Sequence, residues 1–228
     1  MGKKAVALMM SVFLLAAMYF LAKEAAMYTM LQQSEEKKVV VFDVGHGGND
    51  PGKVGVNQIL EKDINLKIAL KLEKFLQQSD LAVILTRRED AGLYDEDASN
   101  KKAQDMKRRI ALIEEADADL VVSIHQNSYR DPDVCGPQCF FYRDSEEGQR
   151  IALILQEQLN EGMGVKRPRE AKANDSYYML KKCTVPTVIA ECGFLSNTEE
   201  AMKLNDETYQ EKLAWNLYLG ILKYFNTD

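Results

Sequence analysis

Short apolar runs alternate along this chain with longer amphipathic segments, and this alternation constrains the fold more than any other feature. Five runs have the length and composition of strands: Val39–Val44, Leu81–Thr86, Asp119–Ile124, Gln138–Tyr142 and Thr187–Glu191. Four segments repeat apolar residues at helical spacing: Glu61–Gln77, Lys102–Glu115, Glu146–Asn160 and Gln210–Phe225. Strands that alternate with helices predict an α/β fold, here a single domain with a mostly parallel twisted sheet flanked by helices.

The N-terminal segment differs from the rest of the chain. Residues 5–22 are apolar except for Ser11 and follow two lysines, and a helix of this length would span roughly 27 Å, close to the hydrocarbon core of a bilayer. We predict a signal-anchor or signal peptide over residues 1–24, a tether over 25–38 and one domain over 39–228. The absence of an A-x-A cleavage pattern favours the anchor over cleavage, and a buried core helix is the remaining alternative. Either targeting signal places the domain outside the cytoplasm.

Charge and cysteine content narrow the classes of partner. The formal net charge is −6, and residues 1–24 carry three lysines and one glutamate, so the remainder is more acidic still. Such a domain would repel a phosphate backbone, which argues against nucleic acid as a partner. The four cysteines, Cys135, Cys139, Cys183 and Cys192, lack zinc-ribbon spacing. We interpret them as thiols or as one local disulfide.

Both histidines of the chain directly follow predicted strands. His46 lies in "GHGGNDPG" after the first strand, and His125 ends "LVVSIH". Because the carboxyl ends of parallel strands share one edge of a sheet, the two imidazoles can converge on one ion. A hydrolytic zinc site needs a third ligand, and both Glu61 and Asp63 at the start of the first long helix qualify. Spacing alone does not choose between them.

A further carboxylate, Glu191, ends the apolar stretch within "VPTVIAECGFLSN". A charge there is costly unless it is paired or used, so we predict that Glu191 moves the proton in a zinc-assisted hydrolysis. Rival chemistries lack their motifs. The glycine-rich turn at His46 matches neither the G-x-G-x-x-G nor the G-x-x-x-x-G-K-[ST] pattern of nucleotide-binding loops. The chain also lacks the G-x-S-x-G motif of serine hydrolases.

Five blocks taken together resemble the zinc-dependent N-acetylmuramoyl-L-alanine amidases of the bacterial cell wall. The blocks are "VFDVGHGGNDPG", "LEKDINL", "ILTRRED", "ADLVVSIHQN" and "VPTVIAECGFLSN", and they cover nearly everything after the tether. The resemblance implies that His46, Glu61 and His125 hold one zinc ion and that Glu191 is the catalytic carboxylate. It also implies cleavage of the amide between N-acetylmuramic acid and L-alanine in peptidoglycan. Within the family, the short anchored form resembles the members that act on the spore cortex.

The sequence departs from the family pattern at three positions. Val44 stands where proline is usual, Glu114 replaces an asparagine, and Gln126 replaces a small residue. Arg169 and Lys172 occupy positions similar to a family R-x-x-K, which implies pairing with stem-peptide carboxylates, and a solvated loop is the alternative. These departures bear on substrate preference more than on chemistry.

Two other functions use the same residues. One is a zinc-containing wall-binding scaffold without hydrolytic activity, and the other is an endopeptidase that cuts a peptide bond within the stem. The sequence also leaves open a protein partner that activates the enzyme.

Overall fold

The computed structural model describes residues 2–32 and 37–227, which divide into two compact units, Met1–Lys37 and Lys38–Asp228. The first unit contains helix α1, Lys3–Gln32. This helix extends beyond residue 24 because residues 25–31 are rich in alanine, methionine and leucine, which favour helices. The first part of the predicted tether is therefore helical, and residues 33–36 of that tether lie outside the described residues.

Among residues 2–32 and 37–227, no helix is both long and apolar enough to cross a bilayer. The membrane role assigned to residues 1–24 stays a prediction.

The second unit alternates strands and helices, as the sequence predicts. Its described strands are β1 Val39–Val44, β2 Ala82–Leu85, β3 Leu120–Asn127, β4 Gln138–Phe141, β5 Lys172–Ala173 and β6 Thr187–Phe194. Its described helices are α2 Glu61–Leu76, α3 Lys101–Glu115, α4 Glu146–Gly162, α5 Tyr178–Lys182, α6 Thr198–Leu204 and α7 Glu207–Asn226, with a 3-10 turn at Val56–Gln58.

All six strands form one sheet in the order β2-β1-β3-β6-β4-β5. The pairs β1–β2, β1–β3, β3–β6 and β4–β5 are parallel, and β4 runs antiparallel to β6. The α/β class is confirmed, and the sheet is mixed. β4 reverses direction because only a loop separates it from β3, whereas a parallel return requires a longer crossover.

Two apolar layers cover the sheet. One contains the inward faces of α2, α4 and α7 with Val40, Phe42, Val122 and Val188. The smaller layer, under α3 and α5, contains Val41, Ile113, Val121 and Met179. Successive side chains along a strand point to opposite faces of the sheet. The strand residues that alternate with those of the larger layer therefore face α3 and α5. They include Asp43, Ser123, His125 and Glu191.

Candidate metal and catalytic site

Four residues selected from the sequence come together at the carboxyl edge of the three parallel strands β1, β3 and β6. His46 follows β1, and Glu61 is the first residue of α2. His125 lies within β3, because that strand continues to Asn127 instead of ending at Ile124. Glu191 likewise lies within β6 and is the direct partner of His125 in the parallel register. The shared edge therefore brings both histidines to one place.

The side chains of His46, Glu61 and His125 offer ligand atoms that all lie within 4.8 Å of one another. Glu61 Oε1 is 3.2 Å from His46 Nε2 and 2.9 Å from His125 Nδ1. The two imidazole rings meet edge to face, with centroids 4.9 Å apart. Asp63 is exposed and lies outside this group, so the geometry selects Glu61 where spacing alone could not.

Two glycines permit this close packing. A Cβ on Gly45 would lie 2.4 Å from Cε1 of His125. A Cβ on Gly52, where φ is +68°, would lie 2.6 Å from both Glu61 Oε2 and His46 Cδ2. The glycine-rich turn thus provides the space that the ligand side chains fill.

Neighbouring polar groups orient the three side chains. Asp50 Oδ2 lies 3.0 Å from His46 Nδ1, which leaves Nε2 facing Glu61. The backbone N–H groups of Lys53 and Gln126 donate to the two Glu61 oxygens at 2.7 and 3.0 Å. Such partners fix the orientation of metal-ligating side chains. Asp50 has no separate sequence signal beyond its place four residues after His46.

The charges of the group depend on one another. Burial opposes protonation of His46, but its bonds to Asp50 and Glu61 raise its pKa to about 9. Burial also opposes ionisation of Glu61, yet the contacts with His125 and His46 hold its pKa well below the ordinary value. A negative carboxylate between two imidazoles therefore favours a cation at this position.

Glu191 has the environment of a group that exchanges protons. Its side chain is buried, and Oε2 has no hydrogen-bond partner among the described residues. Burial raises its pKa to about 7, while the nearby His125 opposes the shift. Tyr177, which was not selected from the sequence, lies beside it, and burial together with the Glu191 charge raises the pKa of Tyr177 to about 12.

Beneath the histidines, a buried polar network connects several elements. Asp43 accepts hydrogen bonds from Arg109 Nη1 at 2.8 Å and Ser123 Oγ at 2.6 Å. Thr86 Oγ1 donates to Asp43 and accepts from the N–H of Val44 at 3.0 Å. A proline at position 44 would lack this N–H, so the hydrogen bond to Thr86 requires a residue other than proline there.

The two basic residues chosen from the sequence differ in their surroundings. Arg169 is half-buried, donates to the carbonyl of Cys135 and to Gln138 Oε1, both at 3.0 Å, and lies over the Phe194 ring. It lines a cavity of about 760 Å³ together with Lys166, Arg167, Lys203, Glu199 and Tyr209. Lys172 is exposed on β5 and does not line this cavity. Glu114 is exposed on α3.

The donor set fits a metal ion of the zinc type. Two imidazoles and one carboxylate are nitrogen and oxygen donors of the kind that hold catalytic zinc with a position open for a reactant. Glu191, the register partner of His125, adds a buried carboxylate oxygen that has no hydrogen-bond partner among the described residues. Fold and site together define an α/β domain with a candidate His-Glu-His metal centre.

Comparisons with known proteins agree with this class. Residues 40–223 match the model of the N-acetylmuramoyl-L-alanine amidase family. The germination-specific N-acetylmuramoyl-L-alanine amidase of Bacillus subtilis (strain 168) is 37% identical over 191 residues, which cover 82% of this chain and 80% of that protein. The chain belongs to the N-acetylmuramoyl-L-alanine amidase family, and the resemblance identified from its sequence blocks is confirmed.

Solved structures of relatives share the fold. The CwlD amidase from Clostridioides difficile, in complex with the GerS lipoprotein, has a TM-score of 0.81 and 40% identity, covering 84% of this chain and all (100%) of that one. The catalytic domain of CwlV, an amidase from Bacillus (Paenibacillus) polymyxa var. colistinus, has a TM-score of 0.73 and 32% identity, covering 84% of this chain and 99% of that one.

Proposed function

We propose that this protein is a zinc-dependent amidase that hydrolyses the bond between N-acetylmuramic acid and L-alanine in peptidoglycan. The observation that carries the zinc assignment is the convergence of His46, Glu61 and His125 within 4.8 Å at one sheet edge. Family membership supports the amidase reaction. His46, Glu61 and His125 would hold one zinc ion, and Glu191 would be the catalytic carboxylate.

A zinc ion held by His46, Glu61 and His125 would supply Lewis acidity for polarising the lactyl carbonyl and for activating water. Glu191 accepts the proton of the attacking water and donates it to the nitrogen of the leaving L-alanine. A pKa of about 7 suits both steps, because a group near neutrality gains and loses its proton readily at physiological pH. The pairing of Glu191 with His125 in the strand register supports this role, because it brings Glu191 next to a proposed metal ligand.

Paired variants separate metal binding from proton transfer. We expect Glu191→Gln to keep bound zinc and to lose roughly 10²- to 10⁴-fold in turnover, the usual contribution of a general acid–base group. His125→Ala should lose both, since it removes a ligand. Bound zinc is measured by atomic absorption after dialysis, and turnover by new L-alanine amino termini released from purified peptidoglycan.

Three results would contradict parts of this assignment. Normal zinc content and turnover in His125→Ala would refute the metal site. Binding to intact peptidoglycan without new amino termini would favour the non-hydrolytic scaffold. Products cut within the stem peptide, identified by mass spectrometry, would favour the endopeptidase.

We further propose that Arg169 and Lys172 pair with stem-peptide carboxylates. Arg169 borders the cavity described above and already bonds Gln138, the antiparallel partner of Glu191. A carboxylate on the substrate could then bond the remaining guanidinium N–H groups. Arg169→Ala should raise KM several-fold more than it lowers kcat, whereas Lys67→Ala, an exposed change on α2, should alter neither. Equal KM values would refute this role.

The biological setting is proposed from the relatives. A germination-specific amidase and a CwlD amidase among them support action on spore-cortex peptidoglycan. The relative solved with a lipoprotein supports a protein partner for this chain as well. We propose that residues 1–24 act as a signal-anchor or signal peptide, that residues 25–38 connect it, and that residues 39–228 act outside the cytoplasm.

A further inference from the structure

Arg87, the second residue after β2, lies buried against the turn that carries His46. Its side chain is 5% exposed. Its described hydrogen bonds all end on backbone carbonyls, which are those of Val44, Gly45, Lys62 and Glu89. A buried guanidinium without a hydrogen-bonded carboxylate is unusual, because its charge is normally paired when it leaves water.

Two of these carbonyls belong to the segments that carry proposed ligands. Nη2 donates to Gly45 O at 3.1 Å and to Lys62 O at 2.7 Å. Gly45 precedes His46, and Lys62 follows Glu61, so one nitrogen connects the turn after β1 to the first turn of α2. The turn after β1 packs directly against the Arg87 side chain, since a Cβ on Gly47 would lie 2.9 Å from Arg87 Cδ and Nε.

The backbone at His46 needs such support. His46 has φ of +61°, a left-handed conformation that costs a residue other than glycine roughly 1–2 kcal/mol. Strained residues of this kind persist only where their surroundings hold them. Arg109 Nη2 donates to His46 O at 2.8 Å. Together, the guanidinium groups of Arg87 and Arg109 therefore donate to the carbonyls of three consecutive residues, 44, 45 and 46.

We infer that Arg87 is a positioning residue that sets the separation of His46 and Glu61 and thereby prepares the metal site. Arginine suits this role because its planar fork directs several N–H groups at once. Lysine keeps the charge but offers one flexible ammonium, which cannot reproduce the bonds of Nε and both terminal nitrogens. The inference rests on the proposed metal-dependent function.

The test compares two adjacent arginines in the full-length chain. Arg87→Lys removes the bonds to the ligand segments. Arg88→Lys is the matched control, because Arg88 forms a bidentate pair with Glu73, twelve residues along α2 from Glu61. Zinc affinity is measured by competition with a chromogenic chelator, and ligand geometry by the visible absorption spectrum of the cobalt-substituted protein.

We expect zinc affinity to fall on the order of 10- to 100-fold in Arg87→Lys, with an altered cobalt spectrum. Arg88→Lys should match the wild type in both measurements. A purely structural role would lower the Tm of the metal-free protein while leaving the zinc affinity of the folded fraction unchanged. Zinc affinity within twofold of wild type in folded Arg87→Lys would overturn the inference.

Loss of folding is also decisive. If Arg87→Lys is unfolded without metal, Arg87→Gln and Arg87→Lys are both titrated with zinc while the circular dichroism is recorded. Where the fold recovers, the refolded variants are mixed with excess chelator, and zinc release faster than from the wild type on the order of 10- to 100-fold supports the inference, whereas an unchanged release rate refutes it. Failure of both variants to fold at saturating zinc assigns Arg87 to the general fold and refutes the inference. A wild-type chain that binds zinc but releases no L-alanine termini would refute the amidase function alone.

Discussion

Gly45 shows how closely the site depends on single residues. The His125 ring occupies the space that a side chain at this position would need, since a Cβ on Gly45 would lie 2.4 Å from His125 Cε1. We expect Gly45→Ala to displace His125 and to weaken zinc binding on the order of 10- to 100-fold. Gly164→Ala is the control: φ there is +64° and nothing lies near the added methyl, so stability should fall by about 1 kcal/mol without loss of zinc affinity. Unchanged zinc binding in Gly45→Ala would contradict the expectation.

The residues proposed to bear the chemistry could be selected from the sequence, whereas the residues that hydrogen-bond around them could not. His46, His125 and Glu191 were found because a rare histidine or an isolated charge next to an apolar strand stands out in a sequence. Arg87 and Arg109 lie in polar stretches where arginine is common, and only the folded chain brings them under the His46 turn. Val44 became interpretable once its N–H was seen to donate to Thr86.

At the scale of elements, Asp43 connects four parts of the fold. It lies on β1 and bonds Thr86 after β2, Arg109 on α3 and Ser123 on β3. Burial alone would raise its pKa, but Arg109, His125 and the Ser123 bond outweigh burial and lower the pKa below 3.8. A lowered carboxyl pKa contributes stability that is present above the unfolded value and is lost as pH falls through the folded value.

Asp43→Asn should therefore reduce the loss of stability that the wild type shows as pH falls below the ordinary carboxyl pKa of 3.8. The variant lacks one titrating group, which contributes at most about 1.4 kcal/mol per pH unit. The free energy of unfolding is measured by urea denaturation at several pH values. Asp80→Asn, the same change at an exposed residue after α2, is the matched control. An Asp43→Asn slope equal to that of the wild type would refute this assignment.

The order of strands was less predictable than their positions. Apolar runs located β1 and β6 because the buried strands of a parallel sheet consist almost entirely of apolar residues. The ends of β3 and β6 were placed too early, because the polar residues His125 and Glu191 interrupt the apolar pattern inside strands that continue to Asn127 and Phe194. The antiparallel direction of β4 depends on its pairing with β6, and its composition carries no information on direction.

At the scale of the whole molecule, the described core lies entirely in the second unit. Its buried apolar residues run from Val40 to Tyr224. We expect residues 38–228 alone to fold and to release L-alanine termini from soluble peptidoglycan fragments at a rate within about twofold of the full chain. Circular dichroism and the amidase assay check this, and the Glu191→Gln form of the fragment is the inactive control. A fragment that is folded but inactive would show that residues 1–37 contribute to catalysis.

The carboxyl edge of the sheet leaves the proposed ligands within reach from outside. His46 and His125 keep 19% and 23% of their side chains exposed, while Glu61 between them is 2% exposed. A polymer strand therefore need not enter the site by a free end. Any bond along the length of the strand can reach the ligands at this edge. A cross-linked mesh has few free ends, and an enzyme built this way is expected to release stems from the interior of intact wall as well as from its borders.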